Sequence, residues 1–189
     1  MIADLGQSDL WVFGYGSLIW RPGFPFAESL QARLHGYHRS LCVFSHVHRG
    51  TPERPGLVLG LDRGGICRGV AFRVAASDAE ETVAYLRARE QATSVYLERR
   101  LPVTLEDGRR LPALVYVADR GHLQYAGRLS AEERFALVRD GRGGSGPNPD
   151  YVIQTHEHLR SMGVFDPVLA ELATRLGLAR DESEAEPKL

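Results

Sequence analysis

Along the first two thirds of the chain, apolar residues come in short runs or alternate with polar ones, and clusters of Gly and Pro separate the runs. That pattern predicts strands over 10–14, about 32–47, 57–62, 66–74, 97–106 and 111–118. Asp107-Gly108, between the last two, has the chemistry of a hairpin turn. Residues 77–90 follow a different period. At about 100° per residue, Ala79, Val83, Leu86 and Glu90 fall within roughly 60° of one another on a helix, and Ser77 precedes Glu80 at the spacing of a capping box. Further helices are predicted over 130–139, 150–161 and 166–176. Between the first two of these, "DGRGGSGPNPD" (140–150) is too rich in Gly and Pro for regular structure and reads as a loop, either a connection or a piece of a site. Strands and helices without regular alternation predict an α+β domain on an antiparallel or mixed sheet, open or closed into a barrel, and disfavour a doubly wound fold.

The length of 189 residues fits one domain with a sizeable core. The boundaries expected are an N-terminal extension over 1–9, the domain over 10–178, and an acidic tail over 179–189 that reads as disordered. Charge narrows the partners. With 23 Lys and Arg against 24 Asp and Glu, the net charge of -1 gives no electrostatic reason to expect nucleic acid or an anionic membrane. A small polar ligand fits better. No apolar run approaches the roughly 20 residues of a membrane-spanning helix, and no charged-then-apolar leader opens the chain. The two cysteines, Cys42 and Cys67, sit in apolar strand-like segments. The expectation is a soluble cytoplasmic protein with reduced thiols; the oligomeric state stays open.

Two places carry candidate chemistry. In "VFGYGSL" (12–18) a glycine-bearing turn follows directly on the first strand. It lacks the third glycine of a dinucleotide fingerprint and the Gly-Lys-Ser/Thr ending of a phosphate loop. Either the turn merely reverses the chain, or its glycines let backbone N–H groups approach a carboxylate or an oxyanion. The second place is Glu90, a carboxylate ending an apolar stripe. Either it pairs with Arg87 or Arg89 at the helix end, or partial desolvation raises its pKa into the range of a general base. Other chemistries fare worse. His46 and His48 share one face of a predicted strand, but His156 and His158 point apart on a predicted helix, and no pattern supplies further metal ligands. Cys42 and Cys67 read as small buried hydrophobes. Ser17 is followed two positions later by Ile19, so it is no nucleophile elbow and reads as a hydrogen-bonding residue.

Four segments together, "VFGYGSL" (12–18), "GYHRSLCVFSHVHRGTPERPGLVLGLDRGGICRGVAF" (36–72), "YLRARE" (85–90) and "NPDYV" (148–152), resemble the ChaC-type, glutathione-specific γ-glutamylcyclotransferases. The resemblance spans roughly residues 10–176 and leaves out the acidic tail. It implies a small mixed β-barrel with flanking helices, the γ-glutamylcyclotransferase-like fold. It further implies conversion of glutathione to 5-oxoproline and Cys-Gly without a metal or organic cofactor. In such proteins the glycine turn binds the γ-glutamyl moiety, which maps onto Val12, Phe13, Gly14, Tyr15, Gly16, Ser17 and Leu18, and the Glu of the Arg-Glu pair accepts a proton, which maps onto Glu90. Tyr96 and Tyr151 match aromatic positions near the substrate. Ser94-Val95 stand before Tyr96 where some relatives carry two glycines.

The chemistry of glutathione agrees with those roles. Its α-amine and γ-carbonyl belong to one residue, so folding the bound substrate and removing one proton suffice to start ring closure. Turn N–H groups would serve the oxyanion or the α-carboxylate, a choice the sequence leaves open. Two alternatives stand beside this reading: a cyclotransferase for another γ-glutamyl compound, and a non-catalytic γ-glutamyl-binding module.

Overall fold

The computed structural model describes residues 8–185. The chain divides into two compact units, one made of the chain up to Ser40 with Leu59–Tyr125, the other of Leu41–Val58 with the chain from Ala126 onward. The strands are β1 (Leu10–Gly14), β2 (Glu28–Ser45), β3 (Gly56–Val74), β4 (Tyr96–Leu105) and β5 (Arg110–Ala118), and the first helix is α1 (Ala79–Glu90). They are followed by α2 (Ala131–Asp140), the two-residue strands β6 (Arg142–Gly143) and β7 (Gly146–Pro147), α3 (Asn148–Ser161) and α4 (Pro167–Ala185). Strands β1–β5 form a closed mixed barrel in the order β1-β3-β2-β4-β5. The closing pair, β1 with β5, is parallel at Val12↔Leu114, whereas β1 with β3, β2 with β4 and β4 with β5 are antiparallel. This is the α+β barrel with helices that the sequence predicted.

In the first unit every residue of β1, Leu-Trp-Val-Phe-Gly, is buried, as a strand covered on both faces requires. Leu10 and Val12 join Phe72, Val74, Leu114 and Tyr116 in one core cluster with Ala79, Val83 and Leu86. The last three are the apolar stripe read from the sequence, and they seat α1 on the barrel. The start of α1 differs from expectation. Residues Ala76–Asp78 form a 3-10 turn, Asp78 caps α1 without a side-chain bond, and Ser77 Oγ instead donates to Asp78 Oδ1 at 3.3 Å. Because the chain is already helical at Ser77, the Ser77–Glu80 spacing cannot close a capping box. The box does form at α2, where Glu133 N donates to Ser130 Oγ at 3.2 Å and Ser130 N to Glu133 Oε2 at 2.8 Å.

The two strands expected at 57–62 and 66–74 are one long strand, β3. Gly64 and Gly65, at φ +98° and +75°, adopt the left-handed region and bend the ladder without ending it. The reversal at Asp107-Gly108 appears as expected, with Gly108 N donating to Leu105 O at 3.0 Å.

In the second unit, 140–150 is more regular than its composition suggested: β6 pairs with β7 and α3 begins at Asn148. Here glycine serves backbone-on-backbone packing. Gly144 N and Ser145 N donate to Val47 O and His48 O at 2.8 and 2.9 Å. The buried Asn148 amide takes the place of a strand partner, accepting from Leu57 N at 2.6 Å and donating to Leu57 O at 3.0 Å. Strand β2 ends at Ser45, so His46 and His48 lie in a bend rather than on one strand face, and His48 Nδ1 lies 3.1 Å from Ser145 Oγ. Among the described residues, no group of three or more His, Cys, Asp or Glu could hold a metal ion. Cys42 and Cys67 are buried and form no disulfide. No helix of the described residues is long and apolar enough to cross a membrane. Helix α4 outlasts the predicted 166–176 and its backbone enters the expected tail. Residues 1–7 of the expected extension and 186–189 of the tail lie outside the described residues.

Candidate active site

The glycine turn starts where β1 stops. A side-chain methyl at Gly14 would stand 3.0 Å from Leu18 Cβ and 3.2 Å from Phe72 Cε2, so it would press on the turn and on the barrel wall. Gly16 has φ −129°, outside the left-handed region. A 3-10 turn, Ser17–Ile19, follows and is closed by Ile19 N donating to Gly16 O at 3.0 Å. Such a turn gives its first N–H groups, here those of Ser17 and Leu18, no acceptor within itself. The Arg39 guanidinium fixes the strand end, with Nε donating to Tyr15 O at 2.6 Å and Nη2 to Arg68 O at 2.5 Å. Val12 and Phe13 are fully buried by side chain; they aim the turn.

Glu90 is the last residue of α1, at the end of the apolar stripe, and its side chain is 17% exposed. Burial pushes its pKa above the ordinary carboxylate value, and the charge of Arg89 opposes that rise. The carboxylate also stands at the helix end whose carbonyls disfavour an anion. Of the two arginines considered from sequence, Arg89 is its partner, with Nε 3.2 Å from Glu90 Oε1. The rest of that guanidinium reaches the glycine turn. Nη2 donates to Ser17 Oγ at 2.9 Å, and Nη1 donates to Arg21 O at 2.7 Å, Pro22 O at 3.1 Å and Tyr85 Oη at 3.0 Å.

Arg87 turns instead to Glu98 of β4, with Nε and Nη2 at 2.9 and 2.8 Å from its two carboxylate oxygens. The Tyr116 hydroxyl donates to the same carboxylate at 3.1 Å. The Arg87 hydrogen bonds hold the Glu98 carboxyl below its ordinary range. Burial, followed by the Glu98 charge, pushes the Tyr116 phenol far up, and the Glu90 charge adds to that rise. Two carboxylates of one unit are thus driven to opposite proton affinities, the pattern that separates an acid–base group from a fixed anion.

Tyr96 opens β4, packs against the same core cluster and donates its hydroxyl to Leu59 O at 2.7 Å. Ser94, before it, has φ +60° and is the only non-glycine with positive φ among the described residues. The loop therefore keeps a glycine-like conformation with serine in place, at a cost of about 1–2 kcal/mol. The first unit brings together Val12–Leu18, Glu90 and Tyr96. Tyr151 belongs to the second unit, where it is buried on α3 with the Arg49 guanidinium 5.6 Å from its ring centroid. Sequence reasoning missed Arg89 as a tie between turn and carboxylate, and the Arg87–Glu98–Tyr116 network altogether. Glu98 lies on a strand whose exposed pattern gave no signal of a buried tyrosine across the ladder.

The pattern of the ChaC-like protein family matches residues 10–177. A glutathione-specific gamma-glutamylcyclotransferase of Escherichia coli is 34% identical over 166 residues, covering 88% of this chain and 72% of that protein. The glutathione-specific gamma-glutamylcyclotransferase 1 of Danio rerio is 37% identical over 177 residues, covering 90% of each. Among solved structures, a gamma-glutamyl cyclotransferase specific to glutathione from yeast superposes with a TM-score of 0.83 at 23% identity, over 90% of this chain and 96% of that one, a likeness of fold. A glycine turn and a desolvated glutamate are thus set on a barrel shared with those proteins, and the match in sequence runs from the first strand of that barrel into the last helix: the chain belongs to the ChaC-like family.

Proposed function

We propose that this chain is a glutathione-specific γ-glutamylcyclotransferase that releases 5-oxoproline and Cys-Gly, with Glu90 as proton carrier. The observation that carries the mechanism is Glu90 itself: a carboxylate of raised proton affinity, reached by solvent, and bound through one guanidinium to the glycine turn. The substrate class comes from relatives 34% and 37% identical that bear that name.

In the proposed reaction the glycine turn holds the γ-glutamyl group folded, its α-ammonium near Glu90. The carboxylate takes one proton, and the freed amine attacks the γ-carbonyl carbon, forming the ring C–N bond and a tetrahedral oxyanion. N–H groups of Ser17 and Leu18 serve that oxyanion or the α-carboxylate, at about 2.7–4 kcal/mol per well-placed donor on an oxyanion. As the intermediate collapses, the bond to the cysteinyl nitrogen breaks. Two protons in all move from the attacking nitrogen to the leaving one through Glu90, so Cys-Gly departs as an ammonium and the carboxylate is restored. Tyr96, packed against the core cluster of the first unit, is proposed to line the substrate site. The proposed setting is the cytoplasm, in keeping with two buried cysteines that form no disulfide.

Purified protein given glutathione with a chelator present is expected to yield 5-oxoproline and Cys-Gly by mass spectrometry. Cyclisation of γ-glutamyl dipeptides with glutathione left intact would move the substrate assignment and keep the chemistry. Binding without turnover of any such compound would replace the enzyme by a binding module.

A further inference from the structure

Ser17 and Glu90 touch the same guanidinium. A guanidinium only donates, so Ser17 Oγ accepts from Arg89 Nη2 at 2.9 Å and keeps its own hydrogen to give. Among the described residues none accepts that hydrogen. A hydroxyl polarised by a cation is a stronger donor, suited to an anion. Nη1 rests on the carbonyls of Arg21 and Pro22 and on Tyr85 Oη, so the fork is held in place from behind, and Nε meets Glu90 Oε1 at 3.2 Å. The Arg89 side chain is itself largely buried, at 18% exposure.

We infer that Arg89 is a positioning residue that couples the two halves of the site: it presents the Ser17 hydrogen to an anionic group of the γ-glutamyl substrate while holding the Glu90 carboxylate beside the same turn. The inference rests on the proposed cyclotransferase reading. Lysine could not replace it, because a single ammonium lacks the planar fork that reaches both partners. The charged and titratable groups around Glu90 are Arg89 on its own helix and Tyr116 from β5, with Glu98 of β4 and Arg87 of α1 beyond that phenol.

The test is steady-state kinetics with glutathione across pH on the parent, Ser17→Ala, Arg89→Met and the double variant, each checked for folding by circular dichroism. Arg89→Met is expected to raise KM about tenfold or more, the loss of one charge-assisted contact. The acid limb of its kcat profile should move to higher pH, since the charge opposing protonation of Glu90 is gone. In the Ser17→Ala background the same change should add less than about twofold to KM, because both substitutions remove one contact. Parent-like KM and acid limb in Arg89→Met, or KM effects that multiply, would overturn the inference. Should Arg89→Met not fold, Arg89→Lys replaces it: a raised KM with a parental acid limb supports the coupling, and a parental KM overturns it. A parent protein that leaves glutathione intact would overturn the cyclotransferase reading, and this inference with it.

Discussion

Glu90→Gln is expected to lower kcat by about 10²–10⁴ while leaving the protein folded. Glutamine keeps the size and the hydrogen-bonding shape of the side chain but cannot take the ammonium proton. In the parent, turnover should fall as pH drops through the raised pKa of Glu90, an acid limb lying above the ordinary carboxylate value; in the variant that limb disappears. Stability should respond in the opposite sense from a usual ion pair. Burial favours the neutral carboxyl, so the folded state binds more protons than the unfolded one between the unfolded and folded pKa values, and stability declines as pH rises through that window. Removing the charge is therefore expected to leave the melting temperature at neutral pH unchanged or higher. A clear drop in melting temperature, with turnover within a fewfold of the parent, would make Glu90 a structural partner of Arg89.

Gly69→Ala is expected to cost about 1–3 kcal/mol of stability and to reduce kcat/KM about 10²-fold in the fraction that folds. Gly69 lies on β3 beside the last residue of β1, whose register is Gly14↔Val70. A methyl there would collide with the carbonyl oxygen of Gly14 and lie 2.8 Å from Phe13 Cζ. The end of β1 must move, and the turn that begins at Gly14 moves with it. Gly177→Ala on α4, where a methyl meets nothing within 4 Å, is the control and should be neutral or slightly stabilising. Thermal melts and kinetics on both variants check the pair; unaltered activity in Gly69→Ala would mean that the turn's placement does not limit the reaction.

The barrel strands were legible because their sequence repeats the physical demand placed on them. The all-apolar β1 and the Ala79-Val83-Leu86-Glu90 stripe each announce the surface they pack against. Glu90 was legible for the same reason, as a carboxylate at the end of a stripe where a hydrophobe would serve packing better. Backbone packing was less visible. The glycines of 140–147 signalled a loop by composition, yet they allow main chain to lie on main chain, a role decided by residues 47 and 48 far away in sequence. Gly64-Gly65 likewise looked like a break and is a bend. The capping spacing at Ser77 failed because local helical backbone had already claimed that residue. Arg89 stood next to Glu90 in "RARE", but its bond to Ser17, 72 residues away, depends on tertiary structure that no local pattern encodes.

The most direct measurement is the fate of glutathione in water labelled with heavy oxygen. Ring closure by the substrate's own amine breaks the γ-amide without water, so 5-oxoproline and Cys-Gly should form in equal amounts with no label in either. Labelled free glutamate in place of 5-oxoproline would mean hydrolysis and would contradict the account.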